Sequence, residues 1–370
     1  MINEKILKND ERAVFALRSL YRGFGYSKYK MSKFEEYDLY VRNKDFLISD
    51  SIITFTDTNG KLMALKPDVT LSIIKNSKDA KGLIQKLYYN ENVYRISKDS
   101  HCFKEITQTG LECIGDIGIY DVCEVVYLAL KSLETIDDGY ILDISHAGLA
   151  EALICLCSCD TDTKKKLIGF IQSKNSSEIS SMAKRGEIDD NAKGIALSLT
   201  KTYCDCSVLT DALKQYCSDE KVKQCLDEFC SVYESIEKLG LSQKVNIDFS
   251  LISDSSYYSG IIFKGYIKGI PTSILSGGQY DKLMKKMGKA SSAIGFAVYL
   301  DMLERHGSSD TDFSYDMVIL QGEDSNPAEI ISTAQALSEK GLNVIVLKSL
   351  DGQIKYKSII KFTKDGMEGA

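Results

Sequence analysis

The sequence lacks the features of an exported, membrane-spanning or common nucleotide-binding protein. Its 370 residues contain no run of about 18 apolar residues, and the N-terminal stretch has no apolar segment of signal-peptide length. The net charge of −6 provides no overall attraction to nucleic acid. The motifs G-x-x-x-x-G-K-[ST], G-x-G-x-x-G and H-E-x-x-H are absent. These absences predict a cytoplasmic protein with no membrane partner and no strong contact with nucleic acid.

Histidine is scarce, with three residues, and the eleven cysteines include no C-x-x-C pair. Cys155, Cys157 and Cys159 form a C-x-C-x-C run, and Cys204 and Cys206 form a C-x-C pair. These spacings leave a metal site open, but they fit thiols used as small buried apolar residues better. An odd number of cysteines without an export signal also predicts reduced thiols. We therefore expect no metal and no cofactor.

The order of predicted elements divides the chain into three parts. Short strands with flanking helices in 1–150 and 240–306 predict one α+β core with an antiparallel sheet. Between them, 151–239 carries successive helical patterns separated by polar breaks, which predicts a helical insertion. Beyond a linker at 307–311, a β-α-β pattern predicts a small C-terminal α/β domain over 312–370.

Local patterns also predict individual elements. A helix is expected over Asn9–Phe24, a hairpin over 51–65 turning at Asn59-Gly60, and a short helix over Val69–Lys75. The segment SGGQYDKL (276–283) predicts a glycine turn, and a helix is expected over Gly295–Arg305. Asn326 is expected to cap a helix that begins at Pro327.

The segment 87–116 predicts two strands joined by a polar loop. Alternation places Gln108 and Glu112 on one face, on either side of Gly110, and the first strand carries Arg95. An Arg, a Gln and a Glu gathered over a residue without a side chain predict a pocket for a small zwitterion. The alternative is the solvent-facing polar side of an antiparallel sheet.

Four segments, in order, resemble the catalytic core of histidyl-tRNA synthetases. They are ALKPDVT (64–70), VYRISKDSHCFKEITQTGLECIG (93–115), SSYYSGIIF (255–263) and SGGQYDKL…AIGFAVYLDML (276–303). Between them, these four segments resemble motifs 2 and 3 of the class II synthetases and the histidine-specific Tyr-Tyr segment. The resemblance implies a class II synthetase-like core over roughly 5–150 and 240–306, and a C-terminal domain similar to a shortened anticodon-binding domain.

The resemblance implies that the positions that bind histidine are kept. Acidic groups can hold an α-ammonium, and a pair of tyrosines can hydrogen-bond and stack on an imidazole. The implied histidine-binding residues are Asp68, Thr70, Arg95, Gln108, Glu112, Tyr257 and Tyr258.

The resemblance also implies that positions needed for adenylate formation are lost. The motif 3 arginine falls at Met302, and a second family arginine falls near Ser253. In motif 2 a glutamate falls at Ser97 and an arginine at Lys104, while Gln279 stands where the family has arginine. Because adenylate formation depends on fixed cations facing a developing phosphate charge, these losses imply that no aminoacylation activity remains.

A chain that keeps the amino-acid pocket and loses the ATP site is similar to the regulatory subunits of the heteromeric ATP phosphoribosyltransferase. This resemblance implies a non-catalytic subunit that activates a short catalytic subunit at the first step of histidine biosynthesis. Histidine would be its feedback effector, and synthetase-like dimers would assemble into a hetero-octamer. The loop that no longer holds ATP would contact the partner through Ser97, Lys98, Asp99, Ser100 and His101.

Two other hypotheses remain at this stage. The first is a divergent histidyl-tRNA synthetase, against which Met302, Ser253 and the short C-terminal domain argue. The second is an RNA-binding or amino-acid-sensing protein derived from a synthetase.

Overall fold

The computed structural model describes residues 7–43, 52–80, 82–96, 102–252, 257–303, 313–323, 325–350, 352, 354–363 and 366–369, the last range as backbone. The chain divides into two compact units. The larger comprises Asp10–Leu303, and the smaller comprises Met1–Asn9 with Glu304–Ala370. The three-part division expected from the sequence remains a prediction.

The first helix and the larger unit contain eleven helices and twelve strands among the described residues. The helices are α1 (Asn9–Gly23), α2 (Tyr37–Arg42), α3 (Thr70–Asn76), α4 (Ile119–Ile136), α5 (Ala147–Cys155), α6 (Thr161–Gln172), α7 (Ser176–Lys184), α8 (Asp190–Leu199), α9 (Cys206–Leu213), α10 (Glu220–Lys238) and α11 (Asp281–Lys286). The strands are β1 (Ser27–Lys28), β2 (Phe34–Glu36), β3 (Thr54–Thr56), β4 (Leu62–Leu65), β5 (Ile84–Ile96), β6 (Phe103–Gly115), β7 (Tyr140–His146), β8 (Thr202–Tyr203), β9 (Val245–Asp248), β10 (Ile261–Ile267), β11 (Leu275–Gln279) and β12 (Ser292–Tyr299).

Nine of these strands form one sheet in the order β1-β5-β6-β12-β11-β10-β7-β9-β8. Its pairs are antiparallel except β1–β5 and β7–β9, which are parallel. A separate antiparallel sheet has the order β2-β4-β3. The predicted α+β class with a mostly antiparallel sheet is confirmed. The pair of strands predicted in the segment 87–116 is also confirmed: they are β5 and β6, each 13 residues long.

The helices between β7 and β9 begin where the sequence has its polar breaks. Each of α6 to α10 is preceded by a side chain that accepts a hydrogen bond from a backbone N–H of the first turn: Asp160, Asn175, Asp189, Asp205 and Asp219. Such a cap typically stabilises a helix by about 1 kcal/mol. The same residues that interrupt the helical pattern therefore start the next helix.

The prediction of a helix over Gly295–Arg305 is wrong. Its first half belongs to β12, and a single 3-10 turn follows at Leu300–Met302. Strand β12 is hydrogen-bonded to β6 on one side and β11 on the other, and most of its residues are buried. A strand buried on both faces has no polar alternation, so its apolar run cannot be distinguished from a helix by periodicity.

The glycine turn predicted at 276–283 is also wrong, because its first four residues lie within β11. A Cβ atom at Gly277 would lie 2.4 Å from the carbonyl oxygen of Gly295 on β12. The glycine therefore permits the close approach of two neighbouring strands rather than a turn. The sequence also predicts strands over Val245–Ser253 and Tyr257–Gly265, and both are shorter in the structure: β9 ends at Asp248, and β10 begins at Ile261.

The smaller unit contains the predicted β-α-β pattern and two further strands that the sequence did not indicate. Its elements are β13 (Tyr315–Gln321), α12 (Pro327–Glu339), β14 (Val344–Leu347), β15 (Tyr356–Thr363) and β16 (Gly366–Gly369), with strand order β14-β13-β15-β16. Asn326 caps α12, since its side chain accepts from the N–H of Ala328 at 3.0 Å. The linker at 307–311 lies outside the described residues. None of the helices that the structure describes is both long and apolar enough to cross a membrane.

A buried ion pair joins the segment after β4 to β5. The Lys66 side chain has no exposed surface, and its Nζ lies 3.0 Å from the Glu91 carboxylate, which is 15% exposed. Burial lowers the pKa of Lys66, and the Glu91 charge acts against that shift. The carboxylate thus stabilises an ammonium that water cannot reach.

We expect Glu91→Ala to lower the free energy of unfolding by about 3 kcal/mol, because a buried cation is left without its partner. Urea denaturation at pH 7 measures this change. The matched control is Glu36→Ala, which removes the exposed Glu36–Lys61 pair. Equal shifts in the two urea midpoints would show that the Lys66–Glu91 pair has no special role in stability.

Candidate functional site

The centre of the nine-stranded sheet contains a polar patch built on β5, β6 and β12. Glu112 of β6 lies between Leu87 of β5 and Gly295 of β12 in the register, and Gln108 lies between Glu91 and Tyr299. Gln108 and Glu112 are 3% and 2% exposed. The two side chains therefore lie in the core, which excludes the alternative of a solvent-facing polar side.

One cavity of about 590 Å³ opens over this patch. All seven residues predicted from the resemblance line it: Asp68, Thr70, Arg95, Gln108, Glu112, Tyr257 and Tyr258. They come from β5, β6, α3 with the residues before it, and the segment before β10. A volume of several hundred Å³ is typical of small-molecule sites.

The Glu112 carboxyl is the most constrained polar group of the cavity. It accepts hydrogen bonds from the hydroxyl of Thr70 at 2.8 Å and from that of Tyr280 at 2.5 Å. Burial nevertheless raises the pKa of Glu112 from 4.5 to about 8, against the effect of both hydrogen bonds. At neutral pH most molecules carry a neutral carboxyl here. A ligand with a positive charge would favour its ionised form.

Asp68 holds a second buried carboxyl at the start of α3. Its Oδ1 accepts from the N–H of Leu71 at 2.9 Å, which places the side chain at the N-terminal end of the helix. Burial raises the pKa of Asp68, although this backbone bond and the charge of Arg95 oppose the shift. Two carboxyls with raised pKa values therefore face one cavity, and such perturbed groups cluster at functional sites.

Aromatic rings form another part of the lining. The rings of Tyr257 and Tyr258 meet edge to face with centroids 4.6 Å apart, and Tyr280 lies 6.1 Å from Tyr257. Burial raises the pKa of all three phenols, so each stays a neutral hydrogen-bond donor. This part of the lining suits a flat polar ring.

Gly295 makes room for the Glu112 side chain. A Cβ atom at residue 295 would lie 1.7 Å from Oε2 of Glu112, and one at Gly110 would lie 2.6 Å from the hydroxyl of Tyr89. No side chain can occupy position 295 while Glu112 keeps its place. The glycine in β12 is therefore part of the site.

The cations of the cavity are sparse. Among the described lining residues, Arg95 and Lys264 carry positive charge, and the Arg95 Nε donates to the carbonyl of Pro67 at 3.0 Å. Met302 also lines the cavity and is 42% exposed. Lys104 is exposed on β6, opposite Arg95 in the register. These groups cannot surround a triphosphate with fixed positive charge.

Sequence reasoning missed part of the lining. Tyr280, Lys264, Ser276 and Tyr299 contribute to the cavity, and the hydroxyls of Ser276 and Tyr299 are 2.8 Å apart. Tyr280 follows the glycine pair of the predicted turn, and Tyr299 lies in β12, within the predicted helix. A strand assignment for β12 places Tyr299 opposite Gln108.

Other predicted residues lie outside the described part of the chain. These are Ser253 and the loop Ser97, Lys98, Asp99, Ser100 and His101. Their roles remain predictions.

The cysteines are free thiols in several environments. All eleven are unbridged, and the run Cys155, Cys157, Cys159 is exposed, buried and partly buried in turn. Cys206 is buried, with its sulfur 2.7 Å from that of Cys230. The described residues contain no group of three or more side chains placed to hold a metal ion.

Comparisons with known proteins agree on relatives of one kind, proteins similar to histidyl-tRNA synthetases. The family model described as histidyl-tRNA synthetase matches residues 3–303. An ATP phosphoribosyltransferase regulatory subunit from Clostridium kluyveri is 30% identical over 338 residues, which are 88% of this chain and 86% of the relative.

Solved structures share the fold. A protein from Bacillus halodurans described as an ATP phosphoribosyltransferase regulatory subunit/histidyl-tRNA synthetase superposes with a TM-score of 0.76 at 22% identity, covering 95% of this chain and 93% of that one. A chain of an ATP phosphoribosyl transferase complex from Thermotoga maritima gives a TM-score of 0.61 at 22% identity, covering 79% and 97%. The expected class II synthetase-like fold is confirmed.

We expect Glu112→Gln to stabilise the chain increasingly as pH rises. Because the pKa of Glu112 is raised to about 8, the folded state holds a proton that the unfolded state has lost above about pH 4.5. The free energy of unfolding of the parent chain therefore falls between about pH 4.5 and pH 8, by up to about 1.4 kcal/mol per pH unit. The Glu112→Gln chain does not show this decrease. Urea titrations of both chains from pH 5 to 8 measure the difference.

The matched control is Glu105→Gln, a change at an exposed glutamate of the same strand. We expect its difference from the parent chain to vary much less over the same range. A constant difference for Glu112→Gln would contradict a protonated carboxyl in the cavity.

Proposed function

We propose that this chain is the non-catalytic regulatory subunit of an ATP phosphoribosyltransferase. The premise is that the chain belongs to the family of ATP phosphoribosyltransferase regulatory subunits. In this role it activates a short catalytic subunit and makes the first step of histidine biosynthesis responsive to histidine. The observation that carries the proposal is the cavity in the sheet. Its lining includes all seven positions that the resemblance implies for histidine binding, and it includes Met302 where the resemblance places the motif 3 arginine.

Free histidine is the proposed ligand of this cavity. Its α-ammonium matches the buried carboxyls of Glu112 and Asp68, and its carboxylate matches Arg95. The imidazole matches the edge-to-face pair of Tyr257 and Tyr258. An ammonium ion would recover part of the energy that is needed to ionise carboxyls inside the protein.

The same cavity argues against aminoacylation. Adenylate formation requires positive charge at the transferring phosphate, and one missing donor typically costs about 100-fold or more in rate. Met302 is an uncharged thioether at the cavity, and Lys104, near the start of β6, is exposed and is not among the residues that line the cavity. The chain can therefore bind an amino acid without activating it.

Regulation would follow from unequal histidine affinity for two states of the complex. A ligand shifts an equilibrium only by its differential affinity, and a coupling of about 1–3 kcal/mol gives roughly 5- to 150-fold regulation. The loop 97–101 would contact the catalytic subunit, and chain dimers would assemble into a hetero-octamer. A reducing cytoplasm suits the eleven free thiols.

Reconstitution tests the function. Mixing the chain with a short catalytic subunit from the same genome should raise phosphoribosyl-ATP formation at least about tenfold, and histidine should reverse the increase. The chain alone should give no histidine-dependent exchange between ATP and pyrophosphate. Clear exchange would instead identify a working synthetase, and tRNA binding without any effect on the catalytic subunit would identify an RNA-binding relative.

Calorimetry tests the ligand. Glu112→Ala and Tyr258→Ala should each weaken histidine binding by at least about tenfold, because a charged or polar partner is left unpaired. Lys98→Ala and His101→Ala are the matched controls, for which activation of the catalytic subunit should change and histidine affinity should not. If the loop variants lose histidine affinity as well, the loop belongs to the pocket.

A further inference from the structure

Two cysteines of neighbouring helices face each other in the segment between β8 and β9. Cys206 begins α9, Cys230 lies in the middle of α10, and the two sulfurs are 2.7 Å apart. A protein disulfide has an S–S bond of about 2.05 Å. The two thiols therefore need only a small movement of their side chains to form one.

Other contacts besides that between the sulfurs hold α9 against α10. The Tyr233 hydroxyl, one turn beyond Cys230 on α10, donates to the carbonyl of Cys204 at 2.6 Å. The Thr210 hydroxyl, one turn beyond Cys206 on α9, donates to the Cys206 carbonyl at 2.8 Å, and its oxygen lies 3.5 Å from the Cys230 sulfur. The fold around the two thiols therefore supports their placement.

Other cysteines of the same segment have different surroundings. Cys157 and Cys217 each donate to the backbone carbonyl four residues earlier, at 3.8 and 3.6 Å. Burial raises the pKa of Cys157 to about 11. At Cys230, the hydrogen bond with Cys206 lowers the pKa below that of an ordinary thiol, although burial opposes the shift. Because the thiolate is the nucleophile in disulfide exchange, Cys230 is the more reactive of these thiols.

We propose that Cys206 and Cys230 form a redox-active dithiol, which a low-molecular-weight disulfide oxidises to a disulfide bond between α9 and α10. The Cys230 thiolate attacks one sulfur of the oxidant, the S–S bond of the oxidant breaks, and one small thiolate leaves. The Cys206 sulfur then attacks the Cys230 sulfur of this mixed disulfide and expels the second small thiolate. The protons of the two cysteines pass to the two released thiolates, so one disulfide is reduced as one is formed.

The bond fixes the start of α9 to α10. Helix α9 follows β8, the edge strand of the nine-stranded sheet, and α10 contacts α4 and α5. The bond joins positions that are 24 residues apart, and such a cross-link restricts the unfolded chain. Oxidation therefore stabilises the chain against unfolding. An excess of small thiols reverses the exchange and restores the free thiols of this structure.

Alkylation followed by mass spectrometry tests the site on the full chain. The chain is equilibrated with glutathione disulfide in excess over glutathione and acidified to stop exchange, and its remaining thiols are then alkylated. We expect two of the eleven thiols to escape alkylation as one joined pair of peptides, which carry Cys206 and Cys230. Dithiothreitol should make both thiols available again.

Serine variants separate the roles of the two thiols. Cys206→Ser has no second thiol to resolve the mixed disulfide, so its Cys230 should keep one glutathione. Cys230→Ser lacks the attacking thiolate and should give no joined peptides and much less adduct at Cys206. The matched control is Cys204→Ser, which removes the exposed thiol two positions before Cys206 and should form the disulfide as the parent chain does.

Urea denaturation gives an independent readout. Oxidation should raise the urea midpoint of the parent and of Cys204→Ser and leave that of Cys206→Ser unchanged. Equal midpoints for the oxidised and reduced parent overturn the link between α9 and α10. A parent without the joined peptides, or a disulfide that disappears in Cys204→Ser, overturns the assignment of the pair. If a serine variant does not fold, the peptide map and the two midpoints of the parent carry the test. The experiment uses neither histidine nor a catalytic subunit, so its failure leaves the proposed function untouched.

Discussion

The structure of the site depends on burying one carboxyl group in the middle of a nine-stranded sheet. Glu112 is 2% exposed and can remain there because Thr70 and Tyr280 donate to it and because residue 295 has no side chain. These three residues belong to α3, the turn into α11, and β12. The carboxyl therefore requires distant parts of the chain to be folded together, and the site exists only when the whole sheet is assembled.

The sequence predicted the half of the site that follows local rules. Strand alternation placed Gln108 and Glu112 on one face, and the resemblance supplied Asp68, Thr70 and the tyrosine pair; the structure brings all of them to one cavity. Tyr280 and Gly295 are not among the predicted site residues: the glycine pair before Tyr280 predicts a turn, and the strand that carries Gly295 is largely buried and predicts a helix. A continuous apolar run shows neither a period of two nor one of 3.6, so contacts between distant strands had to come from the structure.

Binding and chemistry reside in parts of this fold that differ in exposure. Gln108 and Glu112, two of the groups proposed to face an amino acid, lie buried in the sheet, where removing one partner would leave a buried carboxyl unpaired. Met302, at a position that the family gives to a phosphate-binding cation, is 42% exposed, and an exposed arginine contributes little to folding. A synthetase-like chain can therefore lose adenylate formation by surface changes while its folding requirements preserve the amino-acid cavity. In the proposed function, such a chain would remain as a sensor of its amino acid.

If histidine binds as proposed, the raised pKa of Glu112 suits a sensor better than a tight binder. With a pKa of about 8, the carboxyl must lose a proton before it can pair with an ammonium at pH 7. One pH unit corresponds to about 1.4 kcal/mol, so this step weakens binding about tenfold relative to a carboxylate that is already ionised. A feedback effector must leave its site when its concentration falls, and an affinity reduced in this way permits it. The burial that builds the site thus also limits how tightly it can hold its ligand.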